Sequence, residues 1–150
     1  MQQNQYRGST SGSRREESDQ ELRQIVERIR KLNHMSELKP EDFAEEDGLA
    51  DKFARNVKDK LKATQLRRFF HEIKNLKLQF KITTFNRTKI ALLMPMLAYA
   101  KGRKVIPDAF YDLMKECFGS RLCQTSDDFD RAVDFLEAIL AYHKIYARQS

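Results

Sequence analysis

Apolar residues recur every three or four positions through most of the chain: Leu22, Ile25, Val26, Ile29 and Leu32; Leu49, Phe53 and Val57; Leu66, Phe69, Phe70, Ile73 and Leu76. The same spacing returns in Ile106, Phe110, Leu113, Met114 and Cys117, and in Phe129, Val133, Leu136, Ile139 and Leu140. It puts each set on one side of a helix. Alternating runs of Val, Ile and Thr are almost absent, so the pattern predicts an all-α chain. One stretch departs from it. Residues 90–100 are unbroken apolar sequence, with Pro95 inside and Lys101, Gly102, Arg103 and Lys104 at its end. A helix without a polar stripe must be enclosed, which predicts a compact bundle of about six helices around this central apolar helix. The run is well short of the ~20 residues that span a bilayer and has cations on both flanks, so a membrane span is excluded. Pro95 is expected to kink the helix and Gly102 to close it.

The boundaries follow from local chemistry. Residues 1–17 are Gln, Ser, Gly and charge with one aromatic, and predict a disordered tail ahead of a single domain over 18–150. Ser18, Asp19, Gln20 and Glu21 form a capping box that starts the first helix, whose narrow stripe serves the core or a neighbouring subunit. Residues 36–48 hold Pro40 and, after it, five acids, and read as a loop with at most one turn around Phe43. Thr64 is a candidate N-cap for the third helix, and residues 77–84 for a connection to the central one. Pro107 and Gly119 bracket another helix. The last begins near Thr125 or Ser126, with Asp127, Asp128 and Asp130 as a solvated, dipole-complementing first turn.

Charge changes the picture more than composition does. The 150 residues carry a net +6, but between Lys60 and Lys104 there are twelve cations against one acid, Glu72, a local +11 that leaves −5 on the rest. Charges kept only for solubility are interspersed, whereas this segregation is the footprint of a polyphosphate partner. Arg67, His71 and Lys74 fall three and four apart as a ridge of donors, and Arg68 is placed to pair with Glu72. Lys81, Arg87, Lys101, Arg103 and Lys104 extend the basic surface. Nothing reads as a helix-turn-helix with a base-reading face, so contact is expected with the nucleic-acid backbone and not with a DNA sequence. Catalysis has no constellation: His34, His71 and His143 lie apart, Cys117 and Cys123 have no metal spacing, and no Gly-rich loop precedes a helix. The expectation is a non-enzymatic protein without metal or cofactor. With no apolar leader, it is expected in the cytoplasm.

Two stretches, Thr64-Gln65-Leu66-Arg67-Arg68-Phe69-Phe70-His71-Glu72-Ile73 and Leu97-Ala98-Tyr99-Ala100-Lys101-Gly102-Arg103, carry a family resemblance. In that order and separation they resemble the small subunit of type III-A CRISPR effector (Csm) complexes, with similar organisation over roughly residues 49–146. The resemblance implies an all-α subunit without catalytic activity, several copies of which stack along a guide-bearing complex and hold guide RNA and target RNA. Arg67, Arg68, Lys101 and Arg103 are the RNA contacts it implies. The family often has a basic residue just before the Leu of the second motif, where this chain has Met96. The alternative from another class is a helical adaptor that uses the same cations on an acidic protein.

Overall fold

The structure, a computed structural model, describes residues 2–147, with side chains from residue 13 onward. The described residues form eight α-helices and one 3-10 turn, with no strand. In order these are α1 (Gln2–Arg30), the 3-10 turn (Met35–Glu37), α2 (Pro40–Phe43), α3 (Leu49–Val57) and α4 (Ala63–Ile82). Then come α5 (Arg87–Ala91), α6 (Met94–Gly102), α7 (Asp108–Phe118) and α8 (Ser126–Ala147). The all-α bundle expected from the periodicity is what forms, and the faces read for α3, α4, α7 and α8 are its core. Leu22, Ile25, Val26 and Ile29 of α1 are buried as well, against α7 and α3. That stripe therefore serves the core and not a neighbouring subunit.

The element at the centre is not the one expected. Within residues 90–100 only Ile90 and Leu97 are buried, while Leu92 is 72% and Tyr99 69% exposed. The run does not form one kinked helix either. It splits into α5, which Asn86 caps by accepting from the Thr88 N–H at 2.9 Å, and α6, which carries Pro95 in its first turn. A proline there gives up a donor that has no intrahelical partner anyway, so Pro95 starts a helix where a kink was expected.

Phenylalanine takes the interior in its place. Seven of the ten phenylalanines are at most 2% exposed. Phe69 meets Phe110 and Phe118 edge-on at 6.3 and 5.9 Å, Phe118 meets Phe129 at 6.0 Å, and Phe129 meets Phe80 at 5.3 Å. These offset geometries are the favoured ones for aromatic quadrupoles, and each ring buries more apolar area than the Ala, Leu and Met of the run. The chain of rings ties α4, α7 and α8 together. Between α8 and α3 the packing is closest of all: Ala50, Phe53, Ala54 and Val57 show no exposed surface.

Two boundaries also shift. α1 begins sixteen residues before Ser18, whose hydroxyl donates to the Asn56 carbonyl at 3.4 Å and caps nothing. The expected tail is thus helical backbone from Gln2, because no proline interrupts residues 2–17 and the anchored stripe downstream supplies the nucleus. Side chains 13–17 are all exposed, and those before them lie outside the described residues. α4 runs on through residues 77–82 and closes where Thr83 donates both its N–H and its hydroxyl to the Gln79 carbonyl, at 2.8 and 2.9 Å. It starts from Lys62, so Thr64 is not its cap.

Asp128, expected in a solvated turn, is fully buried. Its carboxylate accepts from the backbone N–H of Ser36, Gln124 and Thr125 at 3.0, 3.0 and 3.1 Å, and faces His34 Nδ1 at 3.2 Å. The Thr125 hydroxyl accepts from the Asp128 N–H in return, a reciprocal cap for α8. Burial pushes the Asp128 pKa upward, but the bonds from Ser36, Gln124 and His34 outweigh it and hold the group well below the usual carboxylate range.

Two outcomes follow from this core. Phe129→Ala should cost about 3–5 kcal/mol in urea denaturation, whereas Leu92→Ala should stay within about 0.5 kcal/mol of wild type. A group whose pKa is depressed by folding stabilises above its unfolded value of about 3.9, and that stability disappears as pH falls towards the folded value. The urea midpoint of wild type should therefore fall on acidification below about pH 4, and a good part of that fall should be missing in Asp128→Asn.

Candidate nucleic-acid interface

The basic segment spans α4, α5 and α6, and its cations are mostly uncommitted. Of the ion pairs among the described residues, only one engages a cation of residues 60–104, Lys60 with Asp19 at 3.7 Å. The others are Arg28–Asp42, Arg30 with Glu27 and Glu116, His34–Asp128, Arg55–Asp47 and Arg121–Glu116. Arg68 and Glu72 do not pair. Salt-bridged scaffolding is therefore concentrated outside the segment that carries the excess charge.

The fold distributes the expected residues over three grooves. Arg67 lines the groove between α4 and α8 with His143 and Lys144, about 340 Å³ in volume. His71 follows one turn on along α4 with its Nε2 at 3.3 Å from Asn75 Nδ2, and Lys74 lies over the Phe70 ring at 5.8 Å. That ridge forms as read and continues to the exposed Lys81. Arg68, about 100° further round α4, faces the other way. It shares a cleft of about 390 Å³ with Arg103, Tyr99 and Met96 of α6. The two family motifs meet there, through Arg68 and Arg103 and not through Arg67.

Lys101 and Lys104 belong to a third groove of about 770 Å³, where α1 adds Arg23 and Arg30 and the α3–α4 connection adds Lys60. Asp19, Glu27, Asp108 and Asp112 line it too, so its field is mixed. Lys101 Nζ sits 4.5 Å above the Tyr111 ring. Arg87 turns inward: its guanidinium donates to the Phe118 carbonyl at 2.8 Å, in the structure's interior rather than on the basic surface. The closing glycine of α6 is also not where it was expected. Gly102 is the last helical residue, and Lys104 takes the left-handed position with φ 61°, in a Schellman arrangement of Val105 N–H to Ala100 O and Lys104 N–H to Lys101 O at 3.1 and 2.9 Å.

Sequence reasoning missed Tyr99, Gln65, Arg23 and Lys144 as members of these grooves. Arg23 and Lys144 sit on helices whose charge is balanced, so local counting gives no signal, and only packing carries them to the basic side. Tyr99 belongs to the run expected to be enclosed, yet it is the one Phe or Tyr side chain left exposed among those described.

Other reactive groups are tied up. His143 is buried, with Nε2 donating to the Leu61 carbonyl at 2.7 Å. Burial pushes the Cys117 thiol well up and the Cys123 thiol to about 12, so both are neutral at physiological pH. Among the described residues no group of three His, Cys, Asp or Glu is arranged to hold a metal ion, and no helix is long and apolar enough to cross a membrane.

These features describe an all-α bundle with a cationic flank nearly free of ion pairs. The family model for Csm2 Type III-A matches residues 37–149, so the chain belongs to that family and is a subunit of a type III-A CRISPR effector complex, associated with its other Csm subunits. Searches among curated proteins and solved structures gave no match.

Lys104 offers a check on the α6 terminus that is independent of function. A side chain in the left-handed region costs about 1–2 kcal/mol, partly offset by the greater backbone entropy of glycine in the unfolded chain. Lys104→Gly should raise stability by about 0.5–1 kcal/mol in chemical denaturation.

Proposed function

We propose that the chain is the non-catalytic small subunit of its complex, working in the cytoplasm, and that it holds guide RNA and target RNA by their backbones through Arg67, Arg68, His71, Lys74, Lys81 and Arg103. Lys101 and Lys104 stand at the edge of this surface. The observation that carries the reading is the near absence of ion pairs from residues 60–104 while pairs abound elsewhere. Guanidinium and ammonium groups satisfy phosphates whatever the base, which suits a complex that must accept arbitrary guides. Arg87 is left out because its guanidinium is already bonded inside the fold.

Contacts with further copies and with neighbouring subunits fall on the exposed apolar side chains. Ile82 is 89%, Leu92 72% and Leu78 56% exposed, at the end of α4 and the α5–α6 junction, and Ile145 of α8 is 52% exposed. The stripe of α1 is not available for this, since it is already buried.

The test is the salt dependence of RNA binding by the purified chain. With about three to five phosphates neutralised, log affinity should fall against log salt with a slope of roughly −2 to −4. Arg67→Ala or Arg103→Ala should weaken binding by a similar factor for unrelated RNA sequences and make the slope shallower by about 0.7. Arg55→Ala, at the Asp47 end of the molecule, should do little. Equal losses at Arg55 and Arg103, or a loss confined to one sequence, would overturn the reading, and binding to an acidic polypeptide instead of RNA would favour the adaptor.

A further inference from the structure

The cleft between α4 and α6 differs in kind from the other two grooves. No carboxylate lines it or the α4–α8 groove, whereas four line the groove beside α1, and of the three it alone has a tyrosine in its lining. Its rim carries two guanidinium groups, Arg68 of α4 and Arg103 just past the end of α6. Its wall is the exposed Tyr99 ring, and the Arg103 guanidinium carbon lies 5.7 Å from that ring's centroid. Met96 and Leu97 make an apolar floor, and Gln65 offers an amide with both donors and an acceptor. At about 390 Å³ it falls in the range of small-ligand pockets, about 300–1,000 Å³.

We infer that this cleft takes one unpaired nucleobase of single-stranded RNA, stacked against Tyr99 and the Arg103 plane while Arg68 holds an adjoining phosphate. The inference rests on the backbone-binding reading and adds to it a site for a base. Three features select a nucleobase over other occupants. A planar ring beside a planar guanidinium presents flat π surface, and every base has a π-face of its own. Two cations at the rim with no acid nearby suit a ligand that arrives attached to phosphates. The amide of Gln65 can donate or accept, so it meets the edge of any base without choosing one. A base inside an uninterrupted duplex is stacked on both sides and cannot enter, so the site acts on single strands and on unpaired positions.

The experiment compares short oligouridylate with an abasic ribose-phosphate oligomer of the same length, which has the charges and no bases. Wild-type full-length protein should bind oligouridylate about tenfold or more tightly than the abasic oligomer, with the same salt slope on both. Tyr99→Ala should lose that preference, bind the abasic oligomer as wild type does, and leave the slope unchanged, since no charge is removed. Tyr99→Phe should bind like wild type because the ring and not the hydroxyl carries the contact. Arg103→Ala should weaken both ligands and flatten the slope. Since Tyr99 is 69% exposed, its replacement leaves the fold intact, and an unchanged melting temperature checks this.

The outcomes separate the two readings. If wild type fails to bind the abasic oligomer at low salt, the backbone reading falls. If it binds that oligomer with the expected slope but shows no preference for oligouridylate, the backbone reading stands and the base site is overturned. Should Tyr99→Ala leave RNA binding unchanged yet release a neighbouring subunit from the assembled complex, the cleft is a protein contact and the base site is again overturned.

Discussion

The edge-to-face packing of phenylalanines between α4, α7 and α8 is the constraint from which the remaining arrangement follows. Phe118 and Phe129 stand in the middle, each in contact with rings from more than one segment, and Phe80 and Phe85 close the end nearest α5. Rings at these distances and tilts fill the space between helices densely, so little room is left for a further buried helix. The apolar run of residues 90–100 is displaced to the flank, where α6 packs on α7, α4 and α5. Its position leaves Tyr99 and Arg103 facing solvent beside Arg68.

A second constraint operates beside Phe129, at the same end of α8. Asp128 collects backbone donors from the segment after α1 and from its own helix start, and Arg131 donates to the carbonyls of Ser36 and Leu38 from one turn further on. The loop that follows α1 is thereby fastened to the central helix by charge-assisted bonds, which are stronger than neutral ones. Among the acids of residues 41–47, Asp42 and Asp47 are answered by Arg28 and Arg55. Paired charge and unpaired charge thus occupy different parts of one small molecule. This polarity is what lets a modest net charge act as a directed surface.

Much of this was legible because helical periodicity survives in any environment: the buried faces of α1, α3, α7 and α8 are the residues that the spacing picks out. The failures have a common cause. An apolar run states what a helix would bury, not whether the fold has room for it, and ten phenylalanines spread at helical spacing outcompete eleven contiguous small and branched residues. Lys104 in the left-handed position could not be read with Gly102 two residues earlier as the obvious stop. Asp128 looked like one acid among several, since the Ser36 donor comes from far along the chain and leaves no trace in local composition.

The site was legible in the same uneven way. Counting cations located the basic segment, because a strip of like charge without nearby acids is visible in one dimension. Grouping them failed, because neighbours on the chain diverge around a helix: Arg67 and Arg68 differ by about 100° and enter different grooves. The ridge of Arg67, His71 and Lys74 tracks α4 alone, whereas the meeting of Arg68 with Arg103 needs α4 and α6 to be brought side by side. A surface built from one helix supplies charge, and phosphate charge is the same at every nucleotide. A cleft built from two helices supplies shape as well, and shape distinguishes a base that has left its stack from one that has not. The aromatic ring that packing excluded from the interior stands in that cleft, beside both guanidinium groups.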